Sequence, residues 1–142
     1  KNLKETVLKP IMQPALQNGK LVAQKKPLET IIDFLGTTSS AKDEIAALFG
    51  DRTAFATPKP MKLIKEFIRA ASEKDSIVLD FFAGSGTTGH AVMDLNKEDG
   101  GSRKFILITN DENNICQNIT VPRVRKAIEL FGYKETLKFT AF

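Results

Sequence analysis

Apolar and polar positions alternate along this chain with two distinct periods, and the change of period marks out its elements. Met61, Ile64, Phe67, Ile68 and Ala71 recur at helical spacing, with Lys62, Lys65, Glu66 and Arg69 between them, which predicts an amphipathic helix with Pro60 in its first turn. Residues 76–82 then run almost uninterruptedly apolar, as in a strand covered on both faces. Thr87 to Asn96 reads as the next helix, 97–102 as a loop around Gly100-Gly101, and Lys104 to Thr109 as a second apolar strand. Thr120 is placed to cap a helix with Pro122 in its first turn, Val121, Val124, Ala127, Ile128 and Phe131 on one face, and Gly132 as its stop. Residues 137–142 read as a final strand. Upstream, 31–36 reads as a short strand, and Ala41 to Phe49 as a short helix with Ser40 as N-cap and Gly50 as terminator.

Helices alternating with strands predict an α/β fold with a parallel sheet and right-handed crossovers. Ligands of such sheets sit at the carboxyl ends of the strands. Two segments of this chain, 80–88 and 109–112, fall at such ends.

Composition narrows the class. With 142 residues, 42% of them hydrophobic and 27% charged, the chain fits one soluble domain with a core of its own. No run has the length of a bilayer span and no signal-peptide pattern opens the chain. The single cysteine, Cys116, cannot pair within the chain and is no metal framework, so a reducing, cytoplasmic setting is expected. A net charge of +4 resides in residues 1–30, which hold Lys1, Lys4, Lys9, Lys20, Lys25 and Lys26 against Glu5 and Glu29 and contain no aromatic residue. That stretch reads as a solvated basic arm, with 31–142 as the folded domain. A first residue other than Met suggests a piece of a larger protein.

The chemistry concentrates where the first strand meets its glycines. Gly84-Ser-Gly86-Thr-Thr-Gly89 fits G-x-G-x-x-G, and acidic Asp111 and Glu112 follow at the end of the next strand, so a dinucleotide site is one reading. Asp80 argues against it, because a carboxylate at the strand end is a poor neighbour for pyrophosphate. Phe81 and Phe82 add bulk ahead of the first glycine. S-adenosylmethionine (SAM) suits these residues better: it carries an ammonium and a sulfonium and no phosphate.

Asp80-Phe-Phe82-Ala-Gly84-Ser-Gly86 resembles the D-x-F-x-G-x-G motif of SAM-dependent DNA methyltransferases. Thr57-Pro-Lys59-Pro60, ahead of a helix and this motif, is similar to the K-P segment of β-class DNA adenine-N6 methyltransferases. Thr87-Thr-Gly-His-Ala-Val, the Asn96-Lys-Glu-Asp-Gly-Gly loop, Arg103-Lys-Phe-Ile-Leu, Asn113-Asn-Ile-Cys and Thr120-Val-Pro-Arg extend the similarity to the modification subunits of type III restriction–modification systems, over roughly residues 30–132. The resemblance implies part of a Rossmann-like SAM-methyltransferase sheet with flanking helices. It implies a SAM site floored by Asp80, Phe81, Phe82, Ala83, Gly84, Ser85, Gly86 and Thr87. Thr57 and Lys59 would approach the methionine end, and Asp111 or Glu112 the ribose. It further implies double-stranded DNA as substrate, a restriction subunit and a second modification subunit as partners, and residues 1–30 as the end of a target-recognition region.

The D/N/S-P-P-Y/F/W tetrapeptide by which that family holds the flipped base is absent. Prolines occur at 10, 14, 27, 58, 60 and 122, and no two are adjacent. The expectation is therefore a SAM-binding C-terminal portion with no catalytic residue, unable to methylate DNA alone. The competing expectations are an NAD-binding oxidoreductase domain and an interface fragment without activity. His90 is expected to be a helix-surface or packing residue and not a base, Phe67, Phe105 and Phe131 core residues, and Cys116 an inert buried thiol.

Overall fold

In the computed structural model the described residues are 11–17, 20–26, 35–134, 137, 138 and 140. The expected strand at 31–36 lies, but for its last two positions, outside them. Of the expected strand at 137–142, the described positions belong to no strand.

The basic arm carries regular structure that its composition did not announce. β1 (Ile11–Gln17) and β2 (Lys20–Lys26) pair antiparallel from Ile11↔Lys26 to Gln17↔Lys20. The dipeptide between them, Asn18-Gly19, is in sequence terms the strongest short hairpin signal.

α1 (Thr38–Phe49) starts earlier than its apolar residues suggest. Thr37 is its N-cap, accepting the Ser40 N–H on its hydroxyl at 3.3 Å, while Ser40 Oγ accepts the Thr37 N–H at 2.8 Å. Ser40 is thus the returning half of a capping box and not the cap itself. Gly50 ends the helix at φ 75°, as expected. α2 (Met61–Ala71) follows Pro60, which stands just before its first turn. Pro60 has no side-chain acceptor, so the carboxylate of Glu44 in α1 takes the Met61 N–H at 3.1 Å. Met61, Ile64 and Ile68 face the core. Phe67 is 41% exposed, a correction to its expected burial, because it sits one position short of the Met61–Ile64–Ile68 stripe.

β3 (Ile77–Asp80) and β4 (Lys104–Leu107) pair in parallel, with Val78 opposite Phe105 and Asp80 opposite Leu107. The ladder continues past both strands through Ile108 N–H to Asp80 C=O at 2.8 Å and Ala83 N–H to Ile108 C=O at 3.1 Å. α3 (Thr87–Asp99) crosses between the strands, and α4 (Val121–Phe131) follows a 3-10 turn at Glu112–Asn114 and a π turn at Cys116–Thr120.

The helices pack on one face of this pair. Ile68 of α2 meets Ala91, Val92 and Leu95 of α3 over Val78 and Phe105. Met93 of α3 meets Val124 and Ala127 of α4 over Phe105, Leu107 and Phe131. Val92 and Leu95 are fully buried, each contributing about 1.5–3 kcal/mol of hydrophobic stabilisation. Gly89 lets α3 lie this close, since a Cβ there would stand 3.1 Å from both Phe105 and Leu107. Arg103, buried, ties the loop after α3 back onto the domain through Ser72, Asn96 and Asp99 at 3.0–3.3 Å.

The opposite face of the pair is open, with Ile77 64% and Leu79 47% exposed and Ile106 and Ile108 similarly bare. That corrects the expectation of a strand covered on both sides. The apolar run of 76–82 has its second face uncovered because α2, α3 and α4, as described, all lie on one side.

Candidate functional site

The carboxyl ends of β3 and β4 bring the sequence's candidates to one edge. Asp80 ends β3, half-buried, and both of its oxygens are held. Oδ1 accepts the Phe82 N–H at 3.0 Å and Oδ2 accepts the Thr88 hydroxyl from the first turn of α3 at 2.5 Å. An ionised carboxylate accepts at about four lone-pair positions, so two remain for a cationic ligand. Phe81 and Phe82 project outward, 60% and 92% exposed. Ala83 is buried and its carbonyl accepts the Gly86 N–H at 2.7 Å, closing a tight turn.

The loop's shape is set by what lies against it. Gly86 precedes α3 at φ 77°, and a Cβ there would stand 3.2 Å from Thr120 Cγ2 and 3.3 Å from the Thr120 carbonyl oxygen. Gly84, also left-handed, has the Phe55 ring 3.7 Å from its Cβ position. Thr57 and Lys59 are exposed, alternating with buried Pro58 and Pro60. The Lys59 carbonyl accepts the Thr87 hydroxyl at 3.5 Å, so residues 55–60 lie alongside the glycine loop.

Asp111 and Glu112 stand exposed just beyond β4. Asp111 is engaged locally: Oδ1 accepts the Cys116 N–H at 3.0 Å and Oδ2 the Gln117 side-chain amide at 2.9 Å. Among the described residues the Glu112 carboxylate accepts only the Asn110 amide, at 3.4 Å. Asn113 and Asn114 both adopt φ 55°, a left-handed pair that turns the chain sharply at the strand end.

Three residues of this site were not among its expected members. Thr120, expected as a helix cap, makes no cap bond; its own backbone is already helical, and its hydroxyl donates to the Gly84 and Ile115 carbonyls. Arg123, in the first turn of α4, has 0% exposure. Its Nη1 donates to Ser85 Oγ at 3.1 Å and Thr87 Oγ1 at 2.9 Å. Ser85 and Thr87, both buried, therefore turn their hydroxyls into the protein. Glu44 is the third residue, 3.5 Å from Arg123 Nη2. Burial pushes the Arg123 guanidinium down to about 10 against the pull of Glu44, so it stays charged at neutral pH. Burial raises the Glu44 carboxyl, opposed by the Met61 N–H and by Arg123.

His90 is buried, the packing alternative of the two expected, 5.5 Å from the Phe131 ring, and burial and Arg123 push it down to about 4. Cys116 has its thiol raised by burial and by Asp111. Among the described residues no group of His, Cys, Asp and Glu is arranged to hold a metal ion, and no helix is long and apolar enough to cross a membrane.

A protein-family model described as DNA methylase matches residues 2–120. The chain is similar to the Mod subunit of the type III restriction-modification enzyme StyLTI of Salmonella typhimurium, 54% identical over 87 residues that cover 61% of the chain and 13% of that subunit. It is 41% identical to the EcoPI Mod subunit of Escherichia phage P1 over 104 residues, 73% of the chain and 15% of the relative. It is 47% identical to the type II methyltransferase M.KpnI of Klebsiella pneumoniae over 74 residues, 52% of the chain and 18% of the relative. The matched stretch is thus a small part of each relative's length.

Proposed function

The chain belongs to the DNA methylase family, and we propose that it is the SAM-binding part of a DNA adenine-N6 methyltransferase, the modification subunit of a type III restriction–modification system. The observation that carries this reading is Asp80. It is fixed at the end of a parallel strand by Phe82 N–H and the Thr88 hydroxyl, with acceptor capacity left over and a left-handed glycine turn beside it.

The residues present fit the cofactor. An acceptor-only carboxylate meets the ammonium of the methionine moiety. Exposed Phe82 covers apolar parts of the ligand, and Thr57 and Lys59 approach along the glycine loop. Glu112, the less engaged of the two acids, takes the ribose hydroxyls, while Asp111 holds the turn that presents it. When bound, SAM supplies an electrophilic methyl group. This chain's part is to hold and orient it, since alignment is most of what methyl transfer to an amino nitrogen requires. The base-holding tetrapeptide is supplied from outside this sequence, in which no two prolines are adjacent. The parallel pair is then one part of a Rossmann-like sheet. Double-stranded DNA is the substrate of the assembled enzyme, a restriction subunit and a second modification subunit its partners, and the cytoplasm its place.

Titration calorimetry of the chain with SAM, S-adenosylhomocysteine and NAD tests the reading. SAM and its product bind and NAD does not, and Asp80→Asn weakens SAM tenfold or more with circular dichroism unchanged. NAD binding without SAM binding overturns the reading; unaltered affinity in Asp80→Asn removes the role of Asp80.

A further inference from the structure

The guanidinium of Arg123 is buried and only partly satisfied. Among the described residues its Nε and Nη2 find no hydrogen-bond partner although both are buried. It lies in the first turn of α4, contacts Thr87 at the first turn of α3, and faces Glu44, which caps the first turn of α2. The partially positive N-termini of α2 and α3 thus border one cation, with the Glu44 carboxylate at 3.5 Å to offset them. An apolar side chain of similar volume would serve packing alone at lower cost. What Arg123 does, and an apolar residue could not, is grip two hydroxyls of the glycine loop at once.

We propose that Arg123 is the positioning residue of the cofactor loop, holding Ser85 and Thr87 from beneath so that the loop keeps its binding shape before any ligand arrives. The inference rests on reading 80–87 as the cofactor loop. Ser85 and Thr87 then act on the ligand through the backbone they fix, since their hydroxyls face Arg123. Thr120 adds a second point of attachment by donating to the Gly84 carbonyl, so the loop is held at Gly84, Ser85 and Thr87 from the start of α4. Both bonds come from Nη1, whose two N–H directions are fixed in the guanidinium plane, whereas a lysine ammonium turns freely on a flexible stem.

The test is amide hydrogen exchange of the ligand-free chain, read by mass spectrometry or NMR, in wild type, Arg123→Met, Arg123→Lys and Thr87→Val. Arg123→Met and Arg123→Lys raise exchange at residues 84–88 by tenfold or more, and Thr87→Val by several-fold, while amides of 91–95 in α3 and 124–128 in α4 keep wild-type protection. SAM affinity falls by a similar factor in each variant. Wild-type loop protection in Arg123→Lys, or a uniform rise across α3 and α4, overturns the proposal. If the Arg123 variants fail to fold, Thr87→Val decides, and unchanged loop exchange there overturns it too. The exchange measurement needs no cofactor: a wild-type chain that ignores SAM refutes the cofactor reading and leaves the grip on the loop to be judged by exchange alone.

Discussion

Gly86 and Gly50 have nearly the same backbone, φ 77° and 75°, in opposite surroundings, and substituting each by alanine separates two costs that usually arrive together. A Cβ on a left-handed residue costs roughly 1–2 kcal/mol by itself. At Gly50 nothing lies within 4 Å of the new methyl group, so Gly50→Ala should lose only that amount. At Gly86 the methyl would meet Thr120 Cγ2 at 3.2 Å, the Thr120 carbonyl at 3.3 Å and Val124 Cγ2 at 3.5 Å. The carbonyl belongs to the backbone entering α4 and yields only if that turn moves, which adds about 1–3 kcal/mol of overpacking. Gly86→Ala should therefore lose roughly 2–5 kcal/mol in total. Urea unfolding followed by circular dichroism reads the difference. With a slope of about 2 kcal/mol per molar urea, the Gly86→Ala midpoint should lie about 0.5–1.5 M below that of Gly50→Ala. Adding Thr120→Ser to Gly86→Ala removes the nearer methyl and keeps the hydroxyl, so part of the loss should return. Two alanine variants equal within about 0.5 kcal/mol would refute the claim that α4 sets the loop's geometry.

Two further outcomes follow from the same coordinates. The folded-state pKa of His90, about 4, lies below its ordinary 6.5, so between those values the unfolded chain takes up a proton the folded chain refuses. Its contribution is full above pH 6.5 and is lost as pH falls toward 4, up to roughly 3 kcal/mol; urea midpoints at pH 7.5 and 4.5 should converge in His90→Gln, and an unchanged pH slope contradicts the assignment. Phe82, almost wholly exposed, should be replaceable by alanine within about 0.5 kcal/mol of stability. Calorimetry should nevertheless show SAM binding weakened severalfold in Phe82→Ala, and equal affinity would place the ligand elsewhere.

The sequence showed best what local chemistry decides. Strand, glycine turn and helix at 77–99 and the stop at Gly132 follow from residue types whose backbone preferences are strong, whereas the approach of 57–60 to the loop was implied only by the family resemblance. Boundaries set by side-chain reach were harder. Ser40 and Thr37 are both good caps, and only the reciprocal bond between them shows which residue begins α1. Helical period put Phe67 with Ile64 and Ile68, but six positions from Met61 is well off the stripe that three- and seven-residue steps define. The apolar run at 76–82 could not say that one face would stay open, because covering depends on where three helices pack. Arg123 was invisible for a different reason. An arginine in a helix reads by default as solvated, even between Pro122 and Val124, and its burial depends on Ser85, Thr87 and Glu44, which lie far from it along the chain.

Gly86 and Thr120 are 34 positions apart yet occupy one another's space. They behave as a single inherited choice, in which a larger residue at one position demands a smaller one, or a shifted helix, at the other. The glycine loop is therefore not a portable cassette. Transplanted alone onto another α/β strand it would bring its sequence without its curvature, because the curvature is written in the turn that opens α4.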